Sequence, residues 1–391
     1  MPWKREQKNF WQIRLMRECS IETTQTRKEN MRKSAKITVL AAIVVVMLAG
    51  SASADTTWSG LGGKPNSDGN WNDAANWDPA QVPGVGDTAI VPDVTSDAGK
   101  ATPNTRTITV GNPISVDKIT TPSGSGGNTN LVQVDSQFTV GQWAMPHDGA
   151  IHLGIAEGAT FTLGSDLPNT KPLSRLPVLR GSGAFVKIGT DTVEVPAFGG
   201  PTDAWTGTID IQKGTLHQSN ATFLGKTSML TVQSGAMVSI GDNDSVEPLG
   251  RGFTLNGTGI DGAGALECSS KRSMFSSASL ALPTDSSINI SNAAGVLTLG
   301  GTVSGPGALT KIGPGKLVLD TGSLGGVQIT EGALQIRGKL TSDIHIAAGA
   351  TLMAAEAQVI GKVTVDEGGI WDKSPPAPRV GPAGDPNDDG K

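Results

Sequence analysis

The sequence predicts an all-β protein whose main body is a right-handed parallel β-helix, a solenoid of stacked coils. Three observations lead to this prediction: an excess of glycine, short runs of alternating apolar and polar residues, and an ordered internal repeat. Glycine occupies 52 of 391 positions, about 13% where an average chain has about 7%, while the aromatic residues are 8 Phe and 8 Trp. The chain therefore turns often and has few bulky anchors, which excludes a helix bundle and collagen.

Residues 1–54 are predicted to be an N-terminal extension that ends in a secretory signal peptide. The apolar run at residues 37–50 follows three basic residues and precedes Ala52-Ser53-Ala54, small residues at the spacing that signal peptidase accepts. The run is too short to span a bilayer comfortably. We expect translation to begin at Met31, with a longer basic n-region as the alternative. Cleavage after Ala54 would then give a secreted or cell-surface protein without a membrane span.

Residues 55–104 are predicted to form a leader and cap. The segment is dense in Trp, Asn, Gly and Asp, as in GNWN at 69–72 and ANW at 75–77. Asn, Gly and Pro favour tight turns, and the tryptophans are large enough to be the local core. A weaker alternative is that an exposed subset of tryptophans forms a sugar-stacking surface, drawn from Trp58, Trp71, Trp77 and Trp143.

Residues 105–372 contain the repeat that predicts the β-helix. The run GSGAFVKIG at 181–189 matches GPGALTKIG at 305–313, and TIDIQKGTL at 208–216 matches GVQITEGAL at 326–334. A glycine able to adopt positive φ would turn each corner, and the strand after it would point alternate aliphatic residues inward. One such strand cannot bury its apolar face alone, whereas stacked coils bury a continuous core. A β-sandwich with glycine-rich hairpins is the alternative, but it does not predict an ordered repeat.

The alternation also predicts which side chains point into the solenoid. Lys311 and Lys316 are expected to face water. The expected inward residues are Leu309, Leu317, Leu319, Ile329, Leu334 and Ile336.

These units resemble the autotransporter-associated β-strand repeat of bacterial surface proteins. Residues 305–319 follow the first half of that pattern, with a lysine and two glycines in place, and Trp205-Thr206-Gly207 occupies its aromatic-Thr-Gly corner. The later copy has Leu324-Gly325 at that corner. The Asn-Trp and Val-Pro-Gly motifs of the leader are similar to the segment that precedes such repeats. The resemblance implies an exported bacterial β-helix, but the family's C-terminal translocator barrel, with its aromatic girdles, has no counterpart in this sequence.

Charge and cysteine content limit the kinds of partner and metal site that the protein can have. Residues 55–391 hold 21 basic and 32 acidic residues, a net charge of −11, which argues against nucleic acid. Cys268 is the one cysteine of this part, so it predicts no internal disulfide or cysteine zinc site. Residues 373–391 read as a Pro-rich acidic tail. Within it, Asp385 to Gly390 resembles the first half of a dockerin-type calcium loop, without the acidic ligand expected further on.

The sequence yields no residue to which we assign a catalytic, cofactor-binding or metal-binding role. Residues 60–64 and 125–127 are interpreted as turns, because they lack the context of a phosphate loop or an activated serine. Four histidines are expected to be isolated surface residues: His147, His152, His217 and His345. Four carboxylates would form a polysaccharide cleft if they shared a face, but solvated outward positions are the simpler expectation: Asp191, Glu194, Asp203 and Asp210.

We therefore expect an exported, non-enzymatic β-helical protein of a bacterial cell surface or extracellular matrix, structural or adhesive in role. Its expected partner is a cell-surface or matrix polymer, in particular a polysaccharide. The alternative is a carbohydrate-active β-helix that binds or cleaves an acidic polysaccharide. A shared carboxylate and basic cluster in a groove would distinguish the enzyme.

Overall fold

The computed structural model describes the chain between residues 55 and 374. The described residues are 55–60, 68–92, 105–120, 129–144, 151–164, 174–175, 178–195, 205–218, 229–241, 245–247, 252–275 and 279–374. Apart from short 3-10 turns at Ala74–Asn76, Ile260–Gly262 and Glu356–Gln358, their regular structure is β-strand. Within these ranges, no helix has the length and apolar character needed to cross a bilayer.

The strands are short and follow one another closely along the chain. In order they are β1 (Asp55–Trp58), β2 (Gly69–Asn70), β3 (Trp77–Asp78), β4 (Thr88–Ile90), β5 (Thr105–Val110), β6 (Ile114–Thr120), β7 (Thr129–Val134), β8 (Gln137–Ala144), β9 (Ile151–Ile155), β10 (Thr160–Leu163), β11 (Ser174–Arg175), β12 (Val178–Gly181), β13 (Ala184–Lys187), β14 (Thr192–Val195), β15 (Thr208–Ile211), β16 (Gly214–Gln218), β17 (Met229–Val232), β18 (Ala236–Ile240), β19 (Ser245–Glu247), β20 (Gly252–Leu255), β21 (Leu266–Cys268), β22 (Arg272–Phe275), β23 (Ser279–Ala281), β24 (Ser286–Ile290), β25 (Val296–Ile312), β26 (Lys316–Ile329), β27 (Ala333–Ile336), β28 (Leu340–Thr341), β29 (Ile344–Ile346), β30 (Thr351–Met353), β31 (Val359–Ile360), β32 (Val363–Val365) and β33 (Ile370–Asp372).

The strands stack as a parallel β-solenoid, which confirms the predicted fold class. Each pairs with its counterpart in a neighbouring coil, and among the described strands β1 with β3 is the antiparallel exception. The β-sandwich is excluded because its sheets are antiparallel. Face 1 runs from β6 and β8 through β13, β15, β17, β20 and β23 to β28 and β31. Face 2 runs from β14 through β18 and β24 to β29 and β32. Face 3 runs from β22 through β27 to β33.

The interior is filled by ladders of inward side chains. On face 1 of the N-terminal coils, Phe138, Phe161 and Phe185 are fully buried and in register, with successive ring centroids 5.8 and 6.0 Å apart. Aliphatic residues continue the ladder toward the C-terminus. The six residues predicted to point inward are all buried: Leu309, Leu317, Leu319, Ile329, Leu334 and Ile336.

The cap closes the first coils with a tryptophan cluster. Trp77 lies edge-on to Trp58 and Trp71, with ring centroids 5.2 and 4.7 Å apart, and Trp71 contacts Phe138 at 5.0 Å. The Trp77 indole nitrogen donates a hydrogen bond of 2.8 Å to the Trp71 carbonyl. The prediction that tryptophans form the local core is confirmed for these three.

The glycines of the repeat stand where the backbones of successive coils nearly touch. Gly181 and Gly305, which begin the two copies, have φ of 96° and 139°. A Cβ at either position would lie 2.1 Å from the Ile155 carbonyl oxygen or 2.2 Å from that of Leu282. Corner glycine is therefore needed both for its backbone conformation and for the close approach.

The two copies nevertheless occupy different faces. The strand that follows Gly181 is β13, which pairs with β10 and β15 on face 1. The strand that follows Gly305 is the 308–311 segment of β25, which pairs with β24 and β26 on face 2. The same corner sequence thus serves two different corners of the solenoid.

The prediction that Lys311 faces water is wrong. Lys311 is fully buried, as is Lys187 at the same place in the earlier copy, whereas Lys316 is half-buried. Lys311 lies two residues after Leu309, so the two-residue period turns its side chain inward too. There it is in register between Ile288 of one coil and Ile329 of the next.

Each buried ammonium group ties backbone carbonyls together. Lys311 Nζ donates to the carbonyl oxygens of Ile312 (2.9 Å), Gly313 (2.7 Å) and Glu331 (3.1 Å), and the last belongs to the next coil. Lys187 Nζ donates to the carbonyls of Gly189 (2.5 Å) and Lys213 (2.8 Å) in the same manner. Burial lowers the pKa of Lys311 from 10.5 to about 8, against the opposing effect of the nearby Glu331 charge.

Leu319→Asp should lower the free energy of unfolding by about 4 kcal/mol, because it buries a carboxylate without a partner. Lys316→Gln, on the same strand, should change it by less than about 1 kcal/mol. Urea denaturation of the two variants provides the comparison, and equal effects would contradict the inward assignment of Leu319.

Gly332→Ala should be far more destabilising than Gly349→Ala, although both glycines have positive φ, of 66° and 77°. A Cβ at Gly332 would lie 2.4 Å from the Gly315 carbonyl oxygen, whereas none of the surrounding atoms lies within 4 Å of one at Gly349. We expect Gly349→Ala to cost about 1 kcal/mol and Gly332→Ala at least about 2 kcal/mol more. If both variants lose a similar amount of stability in thermal denaturation, the contact between coils at Gly332 is unimportant.

Lys311→Met should lower the free energy of unfolding by about 2 kcal/mol at pH 7, because it leaves buried carbonyls without their donor. Its pH dependence has a definite sign. Between pH 8 and 10.5 the unfolded lysine keeps a proton that the folded one has lost, so Lys311 makes the wild type more stable as pH rises. The stability difference between wild type and Lys311→Met should therefore widen over this interval. A constant difference would refute the lowered pKa of Lys311.

Candidate functional site

The outward side of face 1 carries a row of side chains, most of them small and polar, which we call the hydroxyl column. Its members are register partners in successive coils, so neighbouring rungs lie about 4.8 Å apart. Eight of the twelve are Ser or Thr and none is buried. The column consists of Ser115, Thr139, Thr162, Val186, Asp210, Thr231, Thr254, Ala281, Ser304, Ser323, Thr341 and Ile360.

Asp210 is the one charged member of the hydroxyl column, and neighbouring amides hold it in place. The Gln212 side-chain nitrogen donates to one carboxylate oxygen at 2.9 Å, and that of Gln233 donates to the other at 2.8 Å. Gln212 and Gln233 directly follow β15 and β17, so Asp210 is part of a hydrogen-bonded patch at the ends of these strands.

The outward side of face 2 carries a second polar row, which we call the His217 row. It consists of the register partners Glu194, His217, Ser239, Glu267 and Asn289. His217 Nδ1 lies 3.2 Å from Ser239 Oγ, and Ser239 Oγ donates to Glu267 Oε2 at 2.9 Å.

The hydrogen bonds of the His217 row indicate which atoms carry its protons. Ser239 has one hydroxyl proton, which it gives to Glu267, so it accepts from His217 and the imidazole proton resides on Nδ1. A serine nucleophile needs the reverse, a histidine nitrogen that accepts the hydroxyl proton. Ser239 is also 6% exposed. The hydrogen bonds among His217, Ser239 and Glu267 therefore link three successive coils.

Of the four carboxylates considered for a polysaccharide cleft, the three that the structure describes do not share a face. Asp210 lies on face 1, Glu194 on face 2, and Asp191 in the turn before β14. Asp203 lies outside the described residues. Glu194 and Asp210 point outward as predicted, but they are half-buried and not fully solvated.

Neither of the two histidines whose side chains are described is isolated, contrary to the prediction. His217 is half-buried and belongs to the row above, and His345 Nε2 lies 3.0 Å from Asp366 Oδ1 on the surface. His147 and the His152 side chain lie outside the described part of the chain.

The sugar-stacking alternative is wrong for three of its four tryptophans. Trp58, Trp71 and Trp77 are at most 2% exposed, because each fills the cap interior. The side chain of Trp143 is not among those described.

Other sequence candidates contribute little to a site. The Cys268 thiol is buried against the Ser270 and Ser273 hydroxyls, at 3.2 and 3.6 Å. Among the residues described, no three His, Cys, Asp or Glu side chains are grouped closely enough to hold a metal ion. Residues 61–64, 125–127 and 385–390 lie outside the described ranges.

The hydroxyl column was not predicted from the sequence, although it leaves a signal there. Several of its threonines are the centre of an apolar-Thr-apolar triplet, as in Phe161-Thr162-Leu163, Leu230-Thr231-Val232 and Phe253-Thr254-Leu255. The triplets fall into one row once the length of each coil is known.

Comparisons of the chain with protein-family models, with curated protein sequences and with solved structures gave no match. The family resemblance therefore depends on the sequence motifs alone.

Proposed function

We propose that this chain is an exported, non-enzymatic β-helical protein of a bacterial cell surface or extracellular matrix, which attaches along its hydroxyl column to an extended polysaccharide. The observation that carries the proposal is the column itself, twelve register-matched positions of which eight are hydroxyl residues. Export and the bacterial setting are supported by the predicted signal peptide and by the repeat resemblance.

The chemistry of the column suits a polymer more than a small molecule. A polysaccharide presents hydroxyls at regular intervals along an extended chain, and a row of Ser and Thr hydroxyls can donate to and accept from them. Each contact is weak, but many contacts on one rigid face add up through effective concentration.

The charge of the body supports the same kind of partner. A net charge of −11 over residues 55–391 keeps the protein soluble and disfavours anionic membranes and nucleic acid. Cationic polymers, or acidic polymers bridged by calcium, fit this charge better. Retention on such material should weaken as salt is added.

Purified residues 55–391 should be retained on an immobilised polysaccharide panel without releasing sugar fragments, with calcium improving retention on acidic glycans. Replacing Thr139, Thr162 and Thr231 together by Val should reduce retention at least about fivefold, because it removes hydroxyls while keeping the β-branched shape. The matched control replaces outward threonines of the other faces, Thr192, Thr310 and Thr351, and should bind like wild type.

Two results would count against the proposal. Equal retention of both triple variants would show that the hydroxyl column is not the attachment face. Fragment release that disappears in Asp210→Asn or Glu267→Gln would favour the carbohydrate-active alternative instead.

A further inference from the structure

The last described coil of the solenoid, which we call the last rung, consists of β31, β32 and β33 and is an open sheet edge. β31, β32 and β33 pair with β28, β29 and β30 of the preceding coil, and within the described residues no strand pairs with their other side. Such an edge presents unpaired N–H and C=O groups to another strand. Three of the six large hydrophobic side chains that the described residues expose lie on this rung: Ile360 at 51%, Val365 at 41% and Ile370 at 54%.

The hydrogen bonds of β32 show which backbone groups face outward along the solenoid axis. The Ile344 N–H donates to the Lys362 carbonyl at 2.8 Å, and the Asp366 N–H donates to the Ile346 carbonyl at 2.9 Å. Lys362 and Asp366 thus direct these groups toward β29. Because backbone groups alternate along a strand, Val363 and Val365 direct theirs toward the open edge.

The sequence around β32 has opposite charges at its two ends. Lys362-Val363-Thr364-Val365-Asp366 is nearly symmetric about Thr364, with a cation before it and an anion after it. If two such strands pair antiparallel about Thr364, Val363 of one lies opposite Val365 of the other as a hydrogen-bonded pair. The same register sets each Lys362 opposite Asp366 of the second copy, whose Oδ1 also lies 3.0 Å from His345 Nε2 of its own chain.

We propose that two copies of this chain join tail to tail through this rung, about a two-fold axis at Thr364. The charge pattern selects this register, and the backbone alternation allows it. A two-fold axis also brings β31 of one copy onto β33 of the other, the strands that carry the exposed Ile360 and Ile370. The residues after Ser374 begin Pro-Pro-Ala-Pro, and proline lacks the N–H that an added strand needs.

Charge reversal tests this interface. By sedimentation equilibrium at low salt, the wild-type chain should dimerise, and Lys362→Asp or Asp366→Lys should each weaken dimerisation at least about tenfold, because each places like charges opposite one another twice. An equimolar mixture of the two variants should dimerise again, since every reversed residue then meets an opposite charge. Lys339→Asp, an exposed lysine in the preceding coil, is the matched control and should behave like wild type.

A wild type that stays monomeric at all concentrations would overturn the proposal. So would variants that fail to associate on mixing while their thermal denaturation midpoints match the wild type. Dimerisation that all three variants retain would place the interface elsewhere on the molecule. None of these results depends on polysaccharide binding, so the interface and the proposed function fail separately.

Discussion

Contact between the backbones of successive coils is the constraint on which the rest of this molecule depends. At Gly181, Gly305 and Gly332 a single added carbon would fall 2.1 to 2.4 Å from a carbonyl oxygen of the preceding coil. Close contact at these corners keeps the strands of neighbouring coils in register, and register aligns the phenylalanine and aliphatic ladders inside. The same register lines up the hydroxyl column and the His217 row outside. A chain with few aromatics and no described disulfide can therefore be ordered over many coils.

The buried lysines extend this constraint into the interior. An ammonium group is costly to bury, but here it donates to carbonyls of its own corner and to one of the next coil. Lys187 and Lys311 each interrupt an aliphatic ladder to make these bonds. The lysine of the repeat thus links successive coils from the inside.

Much of the fold follows from the sequence, whereas the surface rows do not. Glycine corners and the two-residue period identified Leu317, Leu319 and Ile336 as core. The same period turns Lys311 inward, and giving weight to its charge instead produced the wrong expectation. The hydroxyl column depends on coil length, which varies: 24 residues separate Ala184 from its partner Thr208, and 18 separate Ala333 from Thr351. Loop lengths this variable do not reveal which outward residues become neighbours.

The shift of the corner motif from face 1 to face 2 has an evolutionary consequence. Because the motif carries its own glycines and its own lysine, it is a portable unit that does not depend on which side of the solenoid it occupies. Duplication of a segment that is not a whole number of coils would then preserve the core while rotating the outer pattern by one side. Such a duplication would change the displayed surface while leaving the interior of the solenoid unaltered.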